Sequence, residues 1–567
     1  MSAIVATLPE LSSSLDPQAL AQKYSLEREK RIRDDGLTQY KEPTGDLSRF
    51  QEDALTEKIV PREPIIDSSE VLIVGGGYGG LLAAARLAQQ GVTSFRILEK
   101  GGGFGGTWYW NQYPGAQCDI ESYIYLPLLE ELGYVPTEKE KTIFQTEAKS
   151  MTWDETSLSW KTETNRGDLF TSKFAITATG ILHKLKLPGL EGMELFAGKS
   201  FHTSRWDYGV TGGDVNGNLN KLADKRVGVI GTGATARTPS TINVRNNKPT
   251  PPNFCQDLKP GWQGNRMENF NDRISNCRQK EDLVADGWTL NPATQILGKA
   301  DACTDQAKLG QMMMMADFQL MERIRALVSM NSSRTRKLPR SSSHGTHPCA
   351  SDHASTTNTS PSSTALTSNL SIPTERVSIV SRKPASVVNG IEYPVDVLIY
   401  STGFEVTTAY QRRSGITVTG RDGLILDDKW KMGPSTFHGF QTHGFPNYFF
   451  FGTTQSGVSA NFMYTLTHQS MHTAYIIAEC KKKNIKAVEA SREAEGQWVK
   501  DILEGSAPMI NYFSQCTPGY FNGEGQVGKH PEVSGKTAVY GQGASAWGKL
   551  LEDWRESGEM EGLVRMY

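Results

Sequence analysis

From Glu70 the chain reads VLIVGGG, then YGGLLAAARLAQQG, then SFRILEK. This is an apolar run of strand length, a glycine cluster, an apolar stretch of helix length and a second apolar run. The pattern predicts a βαβ unit. Residues 143–178 read as short strands, with WDETSLSW as a hairpin and KFAITATG as a buried strand running into a turn. A second strand-to-glycine junction, KRVGVIGTGATA, begins at Lys225. Residues 303–330 carry helical periodicity, and their four consecutive methionines fit core packing. Residues 331–375 break the pattern with a Ser/Thr-rich tract that buries too little apolar surface to offset ordering. The run VDVLIY then reads as a buried strand. Ahead of all this, Asp16-Pro17 opens a charged helix with an N-cap residue and proline at its first position.

These shifts predict an N-terminal extension at 1–67 and the first part of one dinucleotide domain at 68–195. A linker at 196–224 and a truncated second dinucleotide domain with a helical insertion at 225–330 follow. After the low-complexity tract at 331–375, residues 376–567 return to the second domain and complete the first. The fold class expected is α/β, with two Rossmann-like domains, the second interrupted.

Composition narrows the functions. A chain of 567 residues is too long for one core. Its net charge of −2 offers no basic excess for nucleic acid or an acidic membrane. The seven cysteines are scattered without the spacing of a metal site or a disulfide framework, which points to a reducing compartment. Neither a secretory leader nor an apolar run of about 18 residues is present, so an intracellular, cytoplasmic protein without an integral membrane segment is expected. Oligomeric state is not legible.

The glycines carry the chemistry. Gly75, Gly77 and Gly80 form a G-x-G-x-x-G turn between strand and helix, and Glu99 ends the next strand. Gly75 permits the tight turn, Gly77 lets main chain approach a pyrophosphate, Gly80 allows close helix packing, and Glu99 accepts from a ribose. The second junction, Gly231-Thr232-Gly233-Ala234-Thr235-Ala236, repeats the pattern with alanine in third place. It is followed by Arg237 and Thr238 and lacks a ribose-binding acid, which suits FAD at the first site and NADPH at the second, Arg237 taking the 2′-phosphate.

Between the two sites, Phe196, Gly198, His202, Trp206 and Asp207 fill every fixed position of the FxGxxxHxxxW(P/D) pattern, and this segment resembles that of the Baeyer–Villiger monooxygenases. The run from Gly105 to Asp119 is similar to a further signature of that family, (A/G)GxWxxxx(F/Y)P(G/M)xxxD. Ala178-Thr179-Gly180 and Ser401-Thr402-Gly403-Phe404 resemble the family's turns at which the chain crosses between domains. The resemblance covers most of residues 70–330 and 385–560 and looks like the fungal secondary-metabolite branch. It implies that Thr107, Trp108, Tyr109, Trp110, Asp119, Ile120 and Tyr125 line the flavin, and that Gln117, Cys118 and Asp119 face the nicotinamide. It also implies that Asp119 is the catalytic carboxylate that positions an active-site arginine. The reaction implied uses NADPH and dioxygen to convert a small-molecule ketone into an ester or lactone.

The chain departs from the family at three places. After Ala236 there is no room for the crossover helix that a parallel βαβ unit needs. A helical segment is missing near residues 135–145, and the Ser/Thr-rich tract stands where the family carries a Lys-Arg-Pro motif. Besides the ketone monooxygenase, two readings stay open. One is an FAD-binding protein that is catalytically dead or only an NADPH oxidase. The other is a heteroatom oxygenase, against which Trp206-Asp207 argues.

Overall fold

In a computed structural model the structure describes residues 16–56, 59–126, 128–132, 139–231, 259–274, 279, 281–291, 315–316, 318–319, 322, 377–378, 385–388 and 391–567. The Ser/Thr-rich tract, the residues after Gly231 and most of the methionine-containing stretch lie outside these.

The charged segment forms α1 (Pro17–Glu29), with the Asp16 carboxylate accepting from the N–H groups of Gln18 and Ala19. The first apolar run becomes β1 (Ile66–Val74), the glycine cluster leads into α2 (Tyr78–Gln89), and β2 (Phe95–Leu98) pairs with β1 in parallel from Val71↔Phe95 to Val74↔Leu98. α2 is apolar around most of its girth, because it is covered by the sheet on one side and by a C-terminal helix on the other.

Next come β3 (Thr142–Ile143), β4 (Ala148–Asp154), β5 (Ser159–Thr164) and β6 (Leu169–Thr177). β4 and β5 make the expected hairpin, with Trp153 opposite Trp160. The first sheet is completed from far along the chain by β10 (Thr417–Thr419) and β11 (Tyr448–Phe450). Its order is β10-β4-β5-β6-β1-β2-β3, with β11 beside β6. The second sheet is smaller: β7 (Lys199–His202), β8 (Val227–Ile230) and β9 (Val397–Tyr400) stand in the order β8-β9-β7, all parallel. The stretch read as a linker therefore contributes a strand to this sheet. Among the described residues β8 is an edge strand, and Val227, Val229 and Ile230 are only partly buried.

Two chain crossings lie side by side between the sheets. Lys186 N–H donates to the Gly403 carbonyl at 2.9 Å, Glu405 N–H to Lys184 at 2.8 Å, and the Thr402 hydroxyl to Lys186 at 2.6 Å. The buried Lys186 ammonium pairs with buried Glu524 and sits 4.4 Å from the Tyr40 ring centroid. One ion pair thus ties the N-terminal extension and the C-terminal segment to the crossing.

The cysteines depart from expectation. Cys118 and Cys480 are free thiols, whereas Cys516 stands in a disulfide. Bridging depends on which cysteines the fold brings within reach, and spacing along the chain does not encode that.

Four histidines, His183, His202, His438 and His472, are buried. Burial lowers all four, to about 3 for His202 and His438. The unfolded chain binds protons at these positions below about pH 6.5 while the folded chain does not. The stability they confer is therefore present above that pH and lost as pH falls, toward 3 for His202 and His438. His202 and His438 each contribute a slope of about 1.4 kcal/mol per pH unit in that window, and His183 and His472 act in the same direction. The melting temperature should fall steeply from pH 7 to pH 5, and His438→Phe should flatten the slope. A Tm unchanged across that range would contradict the assignment.

Candidate functional site: two dinucleotide turns and a joint

At the first turn main chain packs on main chain. Gly75 has φ +115°, and a Cβ there would lie 2.4 Å from the Ala178 carbonyl oxygen. A Cβ on Gly80 would lie 1.9 Å from the Gly75 carbonyl oxygen. Gly77, the N-cap of α2, faces Gly106, where a Cβ would come within 2.8 Å of the Gly77 Cα. No side chain caps α2, and its first turn holds no acid. Its N-terminal N–H groups are thus left for an anionic ligand, and the glycine walls allow one to come close. Glu99 is buried at the end of β2, and its carboxylate accepts from the N–H groups of Gly76 and Gly101, each at 2.6 Å. Burial raises its pKa, partly offset by those two hydrogen bonds. This arrangement fits an adenine dinucleotide diphosphate.

The Gly105–Asp119 signature surrounds that turn. Gly106 starts a short helix, Thr107–Trp110. Trp108 Nε1–H donates to the Tyr125 hydroxyl at 3.3 Å, and Tyr78 at the start of α2 makes an edge contact with the Tyr125 ring at 6.1 Å. Tyr109 turns toward the N-terminal extension, and its hydroxyl donates to Asp53 at 2.6 Å. Trp110 is buried. Gln117 and Asp119 are exposed, Cys118 is half-buried with its thiol pushed up to about 11 by burial, and Ile120 packs under Ile124 and Phe270. Gly77, Glu99, Trp108 and Tyr125 are thus brought around one helix end, while Asp119 lies on the exposed side of the same loop.

The second turn repeats the first as far as it is described. Gly231 has φ +117°, and a Cβ there would lie 2.1 Å from the Ser401 carbonyl oxygen. The Gly231–Ser401 contact is the counterpart of Gly75–Ala178, down to the positive φ of Gly180 and Gly403 in the two crossing turns. Thr232, Gly233, Ala234, Thr235, Ala236, Arg237 and Thr238 lie outside the described residues.

The five fingerprint residues build the joint between the sheets. Phe196 packs with Phe50, Leu187 and Tyr400, and Gly198 leaves room for the Asp396 carbonyl oxygen, 2.6 Å from where a Cβ would sit. His202 ends β7, accepts from Ser204 N–H at 3.1 Å and meets the Phe404 ring at 5.8 Å. Trp206 Nε1–H donates to the Thr211 hydroxyl at 3.1 Å, and Asp207 accepts from Val210 N–H at 3.1 Å. Sequence reading missed Asp53, Lys100 and Arg205, which gather near Tyr109 and Trp110. Arg205 occupies a free position of the fingerprint, and Asp53 lies in an extension without a motif, so neither had a signal.

A mixed sheet and a parallel sheet, each with a glycine turn at a strand end and joined by paired crossings, are the architecture of a protein that binds two dinucleotides. A family model described as an NAD(P)-binding Rossmann-like domain matches residues 73–131. The chain is 42% identical to the FAD-binding monooxygenase hmp7 of Hypomyces subiculosus, over 99% of this chain and 100% of that one. It is 39% identical to the Baeyer–Villiger monooxygenase ATR8 of Stachybotrys chlorohalonatus, over 97% and 94%. Among solved structures, the polycyclic ketone monooxygenase from Thermothelomyces thermophila matches with a TM-score of 0.81 at 30% identity, over 97% of this chain and 98% of that one. The chain belongs to the Baeyer–Villiger monooxygenases, flavoproteins whose cofactors are FAD and NADPH. The alignment with hmp7 runs over 610 residues, more than the 567 of this chain, so that relative carries segments this chain lacks. Among the described residues no helix is long and apolar enough to cross a membrane.

Proposed function

We propose that this chain uses FAD, NADPH and dioxygen to insert one oxygen atom beside a ketone carbonyl, giving an ester or lactone in secondary metabolism. The observation that carries this reading is the uncapped, glycine-walled N-terminus of α2 with buried Glu99 beside it, adjoining a joint built from the complete family fingerprint. FAD, when bound, supplies electron transfer from NADPH and the activation of dioxygen. The residues of the chain do the rest. The N–H groups at α2 bind the pyrophosphate, and Glu99 takes the ribose. Trp108 and Tyr125 close an aromatic wall that excludes water. Gln117 and Cys118 take the nicotinamide side, and Arg237 takes the 2′-phosphate. Asp119 orients positive charge toward the oxygen that becomes negative in the transition state.

A second reading, an FAD protein that oxidises NADPH without oxygenating ketones, is supported by the place of β8 at the sheet edge among the described residues and by the segments that hmp7 carries and this chain lacks. The Asp119 assignment is tested in a chain carrying the relatives' missing segments. There Asp119→Ala should retain FAD but lose at least about 10²-fold in ketone oxidation, the scale of losing a preorganised electrostatic group. Near-normal turnover would remove Asp119 from the mechanism.

A further inference from the structure

The short helix Thr107–Trp110 is gripped from two sides. On one, the Asp53 carboxylate of the N-terminal extension accepts from the Tyr109 hydroxyl at 2.6 Å, the Thr56 hydroxyl at 2.9 Å and Gly102 N–H at 3.1 Å. On the other, the Arg205 guanidinium lies over the Trp110 indole, 3.9 Å from its centroid. Arg205 is 7% exposed. Among the described residues its hydrogen bonds go only to Ser204, to the carbonyl at 2.8 Å and the hydroxyl at 3.3 Å, and its Nε has no hydrogen-bond partner. A second cation, Lys100, sits 5.4 Å from the same ring and bonds His183 at 3.0 Å. A narrow crevice lined by Asp53, Trp110, Gln112, Arg205 and Trp206 opens beside the stack.

A guanidinium buried without an ion-pair partner is costly, and an apolar side chain of the same size would fill this position without that cost. What it gains is the indole face: tryptophan is the best ring partner for a cation, and planar arginine stacks on it where lysine does not. Arg205 stands three residues beyond His202, the last residue of β7, so it carries the position of the second sheet to the helix beside α2.

We propose that Arg205 is a positioning residue for the flavin site, fixing the Trp110 indole so that the Thr107–Trp110 helix is preformed for FAD. This rests on the reading that Trp110 lines the flavin. It is a role for a free position of the fingerprint, and Arg205 is distinct from an arginine positioned by Asp119, since the groups whose charge bears on it are Asp53 and Tyr109.

The test is a mutant cycle read by FAD binding to deflavinated protein, followed by flavin fluorescence and by the shape of the visible flavin band. Arg205→Met should weaken FAD about tenfold and alter the band, Arg205→Lys should recover part of both, and Trp110→Phe should weaken FAD comparably. The double variant Arg205→Met/Trp110→Phe should be no worse than Trp110→Phe alone, because the two act as one unit. If Trp110→Phe leaves FAD binding unchanged, the placement of Trp110 at the flavin is wrong. If Trp110→Phe weakens binding while Arg205→Met does not, or if their effects simply add, the positioning role is overturned. Should Arg205→Met fail to fold, the same cycle with Arg205→Lys carries the test.

Discussion

Gly77→Val is expected to yield a folded protein that is colourless and takes up no added FAD. A Cβ at this position meets only the Gly106 main chain, its Cα at 3.3 Å and its nitrogen at 3.7 Å, contacts that a small main-chain adjustment relieves. The fold should therefore persist. The same side chain stands at the N-cap of α2, where a pyrophosphate must approach the helix N–H groups. Two or three charge-assisted hydrogen bonds, each worth about 1.5–3 kcal/mol, are then out of reach, and the affinity should fall by at least about 10²-fold. Gly80→Val provides the contrast. Its Cβ would overlap the Gly75 carbonyl at 1.9 Å, so this variant should lose the fold along with the flavin. A yellow Gly77→Val protein with wild-type melting temperature would mean that the dinucleotide does not sit on this turn.

Ester formation coupled to only part of the NADPH consumed is the second expected result. The first sheet shows what the second turn needs: α2 leaves the glycine turn, returns the chain to β2, and β2 covers the flank of β1. In the second sheet the corresponding strand, β8, is an edge among the described residues, and its apolar side chains are only partly covered. The sequence between Ala236 and Pro239 is too short for a crossover helix. With no room in the sequence for that helix NADPH should bind weakly, and with no Lys-Arg-Pro motif in the sequence part of the reduced oxygen should leave as hydrogen peroxide. Restoring the segments that relatives carry should tighten NADPH at least about tenfold, the value of one charge-assisted contact, and raise ester formed per NADPH consumed. Tight NADPH binding with stoichiometric ester from the unaltered chain would overturn this expectation.

What was legible in the sequence is what obeys local rules. Gly75, Gly80 and Glu99 are spaced by the geometry of one βαβ unit, so their positions follow from the pattern of apolar runs. Gly231 was legible for the same reason, and the structure gives it the same positive φ and the same carbonyl neighbour as Gly75. The fingerprint was legible as a signature but not as a joint, because the His202–Phe404 ring contact and the buried cluster that holds both Phe196 and Tyr400 join residues about 200 apart. Arg205 on Trp110 and Asp53 on Tyr109 were not legible at all. Stacking and burial of a cation leave no period in the sequence. Nor does any short-range pattern announce that β10 and β11 belong to the first sheet.

The placement of β11 bears on how the chain is made. β5 pairs with the first half of β6, and β11 alone covers its second half, Ala175–Thr177, on that side. Asn447, just before β11, donates to the Lys173 carbonyl across 274 residues of chain. At ribosomal rates of about 5–20 residues per second, roughly 15–55 s separate synthesis of the two. Through that interval an apolar strand end that is fully buried in the finished fold at Ala175 and Ile176 presents open hydrogen-bonding groups to any passing strand. Such an edge, open during synthesis, is prone to wrong pairing, and added chaperones should raise the yield of this chain in a foreign host.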